Sequence, residues 1–285
     1  NDHSLILKLC SSSTKILESN NMSIKTKILT TDKFKEAIEL LQSQTDSNFD
    51  DCFVSKFASI TENYLTHSPQ LIRNEFSFLF SFSKFILTNF SVYLLFRNLL
   101  TCSHLNSYLI HNYLQENQFI DFLFSNLSNN SIDLLIHCAQ IDIFRSPSFV
   151  DHLLNFDLHD SIDEKFINRK WEIIATYVKT TVISIEDENK SALNALSVFL
   201  PLVGQAFFHI DPTNYDYYLK SQVSALQFLS AMFYNISLKA QNEICNLSKF
   251  LYFLKDIIIT FPNHTIAVNE VFMLVEALLL SSSAR

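Results

Sequence analysis

Residues 92–129 read VYLLFRNLLTCSHLNSYLIHNYLQENQFIDFLFSNLSN, and the fold is decided there. Ile120, Leu123, Phe124 and Leu127 fall at i, i+3, i+4 and i+7, the spacing that puts apolar side chains on one face of a helix. The same spacing recurs outward in both directions. Towards the N-terminus, Asp32 to Leu41 sets Phe34, Ala37, Ile38 and Leu41 on one side and Lys33, Lys35, Glu36 and Glu39 on the other. Towards the C-terminus, Ala225, Phe228, Leu229, Met232, Phe233 and Ile236 keep the spacing, and Val223 and Leu226 add a second apolar side, which predicts a helix buried on most faces. Leu247, Phe250, Leu251, Leu254 and Ile258 form a further stripe, as do Val271, Leu274, Val275, Leu278 and Leu279. Ile167, Trp171, Ile174 and Val178 form another, which predicts burial of the sole tryptophan. No sustained strand-like alternation competes.

The prolines punctuate the same pattern. Ser68-Pro69, Ser146-Pro147 and Asp211-Pro212 each place an N-cap residue before a proline, which the first turn of a helix tolerates because its missing N–H has no partner there. Pro262 follows an apolar helix as a stop, and Pro201, inside an apolar stretch, is expected to kink or split one. With loops at about 45–48, 129–131, 186–190 and 210–214, the chain divides into roughly twelve to fourteen helices.

Composition excludes several classes of chemistry. With 48% hydrophobic and 18% charged residues among 285, the chain can bury a large core and is not intrinsically disordered. It has one glycine, so phosphate-cradling loops, dinucleotide fingerprints and nucleophile elbows, which need positive φ or close backbone approach, are largely excluded. The net charge is −8 and the 21 basic residues are scattered, which speaks against a nucleic-acid partner. Cys10, Cys52, Cys102, Cys138 and Cys245 are odd in number and far apart, a pattern that suits a reducing, cytoplasmic compartment rather than a disulfide framework. Sequons at Asn21, Asn89, Asn126, Asn129, Asn189, Asn235, Asn246 and Asn263 offer the contrary reading of a glycosylated ectodomain, but no secretory leader is visible. The most apolar window, Phe76 to Phe96, carries Lys84 near its centre. A lysine there costs ~2.5–3.5 kcal/mol on insertion, so the window reads as a buried helix and not a membrane span.

The quoted stretch resembles an armadillo repeat: a hydrophobic helix ending in Asn98-Leu99, a short polar turn, Asn106 opening a short helix, then a closing helix with Phe119, Ile120, Asp121, Phe122 and Leu123. A looser match runs from Val223 to Thr260, with Asn235-Ile236, Asn242 one residue early, and Leu251 to Leu254. Asn98 and Asn235 stand three repeats of about 45 residues apart, within the armadillo and HEAT range. The glycine usual between the first two helices is missing from both. Arg97-Asn98, Cys102-Ser103 and Asn106 are also similar to the ataxin-10 family, whose members act in cell division and cilia. The resemblance implies an all-α, right-handed α-solenoid of stacked armadillo/HEAT-like repeats, a single unit over 1–285; with Asn1 first and an apolar segment running almost to Arg285, a fragment of a longer chain is expected. It also implies a non-catalytic scaffold or adaptor that binds a partner peptide or helix. The asparagines Asn98, Asn106, Asn235 and Asn242 are the candidate partner contacts, since an amide offers a donor and an acceptor to a peptide backbone. The tryptophans that accompany such asparagines in nuclear-import adaptors are absent, with Leu94 and Ala231 in their places.

Residues with reactive side chains give a second class to weigh, an all-helical enzyme centred on His137 and the carboxylates of 151–164 (Asp151, Asp157, Asp160, Asp163 and Glu164). His137 adjoins Cys138, but neighbours on a helix point apart, which leaves a nucleophile–base pair without its geometry. His104 and His111, and His152 and His159, are each seven apart, on one helix face but too far along the axis for one zinc ion. The acidic clusters, including Glu186 to Glu188, read as capping and loop charge. Phe76, Phe78, Phe80, Phe82 and Phe85 read as core. No metal or cofactor is called for.

Overall fold

The computed structural model describes residues 27, 29–44, 50–156, 164–183, 195–200, 203, 215–233 and 250–283. Among them every regular element is a helix and there is no strand. Pro201, Pro212, Asn235, Asn242 and the loops expected at 45–48, 186–190 and 210–214 lie outside the described residues. The chain divides into two compact units, Asn1–Cys138 and Ala139–Arg285.

The first unit holds α1 (Asp32–Ser43), α2 (Asp51–His67), two 3₁₀ helices (Pro69–Arg73 and Leu79–Phe85), α3 (Phe90–Thr101), α4 (Tyr108–Glu116), α5 (Phe119–Ser125) and α6 (Asn129–Cys138). Their starts keep a register: α2, α3 and α6 begin at Asp51, Phe90 and Asn129, 39 residues apart each time, and Pro69 and Tyr108 open the next elements at the same spacing. The residues before α2, α3 and α6 are Asp50, Asn89 and Ser128. Their side chains accept from the backbone N–H three residues on, at 3.0 Å to Phe53, 2.9 Å to Val92 and 3.0 Å to Ser131. Each satisfies a donor that the helix leaves unpaired.

Side-chain hydrogen bonds between elements repeat nearly the same separation. At the N-terminal ends of α2 and α3, the Asn89 amide donates to Asp51 Oδ1 at 2.7 Å and to Ser55 Oγ at 2.7 Å. Farther along, Asn98 Nδ2 donates to Glu62 Oε1 at 2.7 Å, and at the C-terminal ends Cys102 Sγ lies 3.8 Å from Thr66 O. Partners meet start to start and end to end, so α2 and α3 run parallel. So do α3 and α6, where Asn130 donates to Ile86 O and Tyr93 to Asp133. The flanking elements follow suit: Arg73 reaches Glu116, Tyr113 reaches Ser77 O, and Lys84 donates to Gln44 O at 2.7 Å, closing the end of α1.

The core of this unit is aromatic. Phe34, Phe53, Phe57, Tyr64, Phe76, Phe78 and Phe82 are all buried, and their rings meet edge-on, tilted or stacked at centroid distances of 5.4 to 6.2 Å. Such contacts add about 0.5–1.5 kcal/mol per pair beyond area burial. Phe85 is buried too, while Phe80 is half-buried with its edge against Phe122.

The second unit holds a 3₁₀ turn at Asp142–Phe144, α7 (Pro147–Leu154), α8 (Glu164–Ile183), another turn at Ser197–Phe199, α9 (Tyr215–Phe233), α10 (Phe250–Thr260) and α11 (Thr265–Ser283). Ser146 caps α7 and Pro147 takes its first position, as the dipeptide predicts. α8 packs along α9, α9 along α11, and α10 on α11. Trp171 is buried between Phe199 and Phe228, and α9 is buried on several faces, with Gln222 to Leu226 all inside.

Several expectations need correction. Residues 129–131 are the first turn of α6, because Ser128 turns the polar run into a cap. The apolar window from Phe76 is not one helix: it is a 3₁₀ helix, a break, and α3, split where Asn89 caps the new helix and Lys84 serves the end of α1. No helix among the described residues is long and apolar enough to cross a membrane. Leu127 lies beyond α5, and Leu279 is exposed. Helix starts are spaced by 39 residues in the first unit, and by 51 then 50 between the starts of α8, α9 and α11 in the second. Between α4 and α5, Gln118 takes the left-handed conformation at φ 56°, which costs roughly 1 kcal/mol in a residue with a Cβ.

Asn89 is 2% exposed, so a glycan on this sequon is incompatible with the folded chain. Asn89→Ala removes a buried cap and two part-buried hydrogen bonds and is expected to cost about 2–3 kcal/mol in urea unfolding. Asn263→Ala, at an exposed loop sequon, is expected to change stability by less than about 0.5 kcal/mol.

Candidate functional site

The parallel pairing of α3 and α6 brings two one-turn pairs together. Tyr93 and Arg97 lie on α3, Asp133 and His137 on α6, each pair spaced i, i+4 and hence on one face. They converge on one atom. Tyr93 Oη donates to Asp133 Oδ2 at 2.5 Å, and Arg97 Nε and His137 Nε2 lie 3.9 and 3.7 Å from the same oxygen. Phe90, one turn before Tyr93 and 66% exposed, sets its ring 5.6 Å from the tyrosine's. The outward face of α3 thus carries an exposed ring, a phenol and a half-exposed guanidinium, with a carboxylate and an imidazole from α6 beside them.

Burial lowers the pKa of His137, and nearby Arg97 lowers it further while Asp133 pulls it up. The imidazole is neutral near pH 7. At 3.7 Å it is outside hydrogen-bond range of Asp133, and its Nδ1 is buried without a partner, so the carboxylate does not orient it as a general base needs. Cys138 beside it is fully buried, and burial raises its pKa so far that the thiol keeps its proton. What the cluster offers is charge and aromatic surface.

The sequence-derived candidates fall as follows. Asn98 sits on α3 and spends its amide on Glu62 of α2, whose own pKa burial raises and this bond lowers. Asn106 lies two residues before α4, its N–H donating to His104 Nδ1 and its carbonyl accepting from Leu109. The two are not brought together by any shared bond. Asn235, Asn242, Asp157, Asp160 and Asp163 lie outside the described residues; Asp151 is exposed on α7, and Glu164 opens α8. His104 and His111 do not share a helix face: His104 is in the turn before α4, and His111 is buried on α4 with Nε2 3.4 Å from Leu99 O. Among the described residues no group of His, Cys, Asp or Glu is arranged to hold a metal, and Cys52, Cys102 and Cys138 are free thiols.

The second unit carries its own charged cluster, in which Glu172 is held by Arg169 at 3.2 Å and by Lys220 at 2.9 Å. Sequence reasoning missed both clusters, although the i, i+4 polar pairs on α3 and α6 were the signal of the first.

No known protein family, curated protein sequence or solved structure matches the chain.

The buried His111 and the part-buried His137 set a pH response. Burial holds the pKa of His111 and His137 below their ordinary value, so the unfolded chain binds the proton more readily and the fold weakens as pH falls through about 6.5. His111→Gln keeps a donor for Leu99 O but does not titrate. It is expected to flatten the fall in urea midpoint between pH 7 and 5.

Proposed function

We propose that this chain is a non-catalytic protein-interaction scaffold built as a right-handed armadillo/HEAT-like α-solenoid, cytoplasmic in location, that binds a partner peptide or helix on the face formed by α2, α3 and α6. The observation that carries the reading is the 39-residue register of capped, parallel helices in the first unit, tied by side chains 36 to 44 residues apart. Repeats of this kind bury each helix against its counterpart in the next and leave an extended outer face, which suits another macromolecule better than a small one. Free thiols and a buried sequon support the compartment. Phe90, Tyr93 and Arg97 are the expected anchors, since aromatic rings and arginine dominate binding energy at protein interfaces.

Panning a displayed peptide library against the full chain tests this. Enriched peptides are expected to lose about tenfold or more in affinity on Arg97→Glu and to be indifferent to Lys255→Glu, an exposed position on α10. Failure of any peptide to enrich, or equal loss from both substitutions, contradicts the reading, as does a substrate whose turnover His137→Ala abolishes.

A further inference from the structure

Within the second unit, a groove of about 400 Å³ is lined by Gln140, Ala175, Thr176, Lys179, Thr180 and Gln227. Its lining comes from α8, α9 and the chain just before the 142–144 turn. The volume falls in the range of roughly 300–1,000 Å³ that holds ligands. Thr176, Lys179 and Thr180 stand at i, i+3 and i+4 on α8, so they share one face, and Ala175 keeps the floor low.

The donors and acceptors of this lining are unequally committed. The Thr176 hydroxyl donates to Glu172 O at 2.8 Å. That of Thr180 is directed at carbonyls, Ala139 O and Thr176 O at 2.9 Å and Tyr177 O at 3.0 Å. Gln227 gives its amide N–H to Glu270 Oε1 at 3.0 Å. Each threonine has one hydrogen to give and has given it, so the groove presents hydroxyl lone pairs and the Gln227 carbonyl oxygen as acceptors. Glu172, one turn below Thr176, is already neutralised by Arg169 and Lys220. The strong donor left over is Lys179, exposed at the rim, with no carboxylate at ion-pair distance among the described residues. A ligand that fits supplies several neutral donors along its length and one negative charge.

We propose that this groove binds an extended peptide segment, its backbone N–H groups donating to Thr176, Thr180 and Gln227 and a carboxylate pairing with Lys179. This rests on the scaffold reading and gives the second unit a partner chemistry, an acidic peptide. A nucleic acid does not fit, because one lysine neutralises one phosphate and the flanking Glu270 repels the next.

The test uses the full chain with labelled Ala and Thr methyl groups and three probes: acetyl-Ala-Ala-Glu-Ala-Ala-amide, the same peptide with Gln for Glu, and acetyl-pentaalanine with a free C-terminal carboxylate. The methyl signals of Ala175, Thr176 and Thr180 are expected to shift together at peptide concentrations up to about 10 mM. The Glu peptide should bind about threefold more tightly than the Gln peptide, the scale of one exposed ion pair. Lys179→Met should erase that preference and leave the Gln peptide's affinity unchanged. Tight binding of the free-carboxylate probe alone assigns Lys179 to a chain terminus, and binding of the Glu probe assigns it to a side chain. Absence of any shift, shifts spread over methyls elsewhere in the chain, or a preference that survives Lys179→Met would overturn the proposal. Library peptides that depend on Arg97 would still bind in that event, so failure of the groove is distinguishable from failure of the scaffold reading.

Discussion

The buried amide of Asn89 does three things at once. Its oxygen caps α3 by accepting from Val92 N–H, and its nitrogen donates to both Asp51 and Ser55 near the start of α2. With both ends of the amide engaged and the group shut off from water, any sliding of α3 along α2 strands a polar group inside, at a cost of about 1–3 kcal/mol for each bond lost. Hydrophobic contact between two helices permits many registers; this amide permits one. It also sets direction, because it joins the start of one helix to the start of the other.

The same arrangement is repeated with different atoms. Asp50 and Ser128 cap α2 and α6 from the equivalent positions, Asn98 to Glu62 ties the middles of α2 and α3, and Tyr93 to Asp133 carries the pairing across to α6. Large rings fill what the polar ties leave between the elements, with Phe34 and Phe78 each in contact with the other and with both Phe57 and Phe76. The geometry then dictates what stays outside. Because α3 and α6 are parallel and one step out of line, their i, i+4 polar pairs meet at the surface and make the Arg97–Asp133–His137 group, with Phe90 exposed beside it.

Helix content was legible because burial imposes a 3.6-residue period wherever an apolar face exists, as at Phe34 and Leu41 or at Val271 and Leu274. The 39-residue spacing of helix starts was legible in part. Ser68-Pro69 and Ser146-Pro147 are two steps of the 39-residue spacing, with Ser107 between them, yet the eye goes to Asn98 and Asn235 instead. Asn89 was hidden by its context, since a polar residue in an apolar window reads as a sequon or a flaw when its partners lie 34 to 38 residues back. The run at 129–131 misled for a related reason: asparagine and serine favour loops and helix starts alike, and only the bond from Ser131 N–H to Ser128 separates them. The groove beside Lys179 has no local signature, because Gln140 and Gln227 reach it from remote parts of the chain.

Parallel pairing of α2 with α3 and of α3 with α6 is the claim on which the account stands, and paired spin labels test it most directly at α2 and α3. One label at His67, at the end of α2, is combined in turn with a label at Thr101, at the end of α3, and at Phe90, at its start. At a rise of 1.5 Å per residue the account predicts that the 67–90 distance exceeds the 67–101 distance by about 10 Å. A 67–90 distance equal to or shorter than the 67–101 distance means the helices run antiparallel or do not pair, and contradicts it.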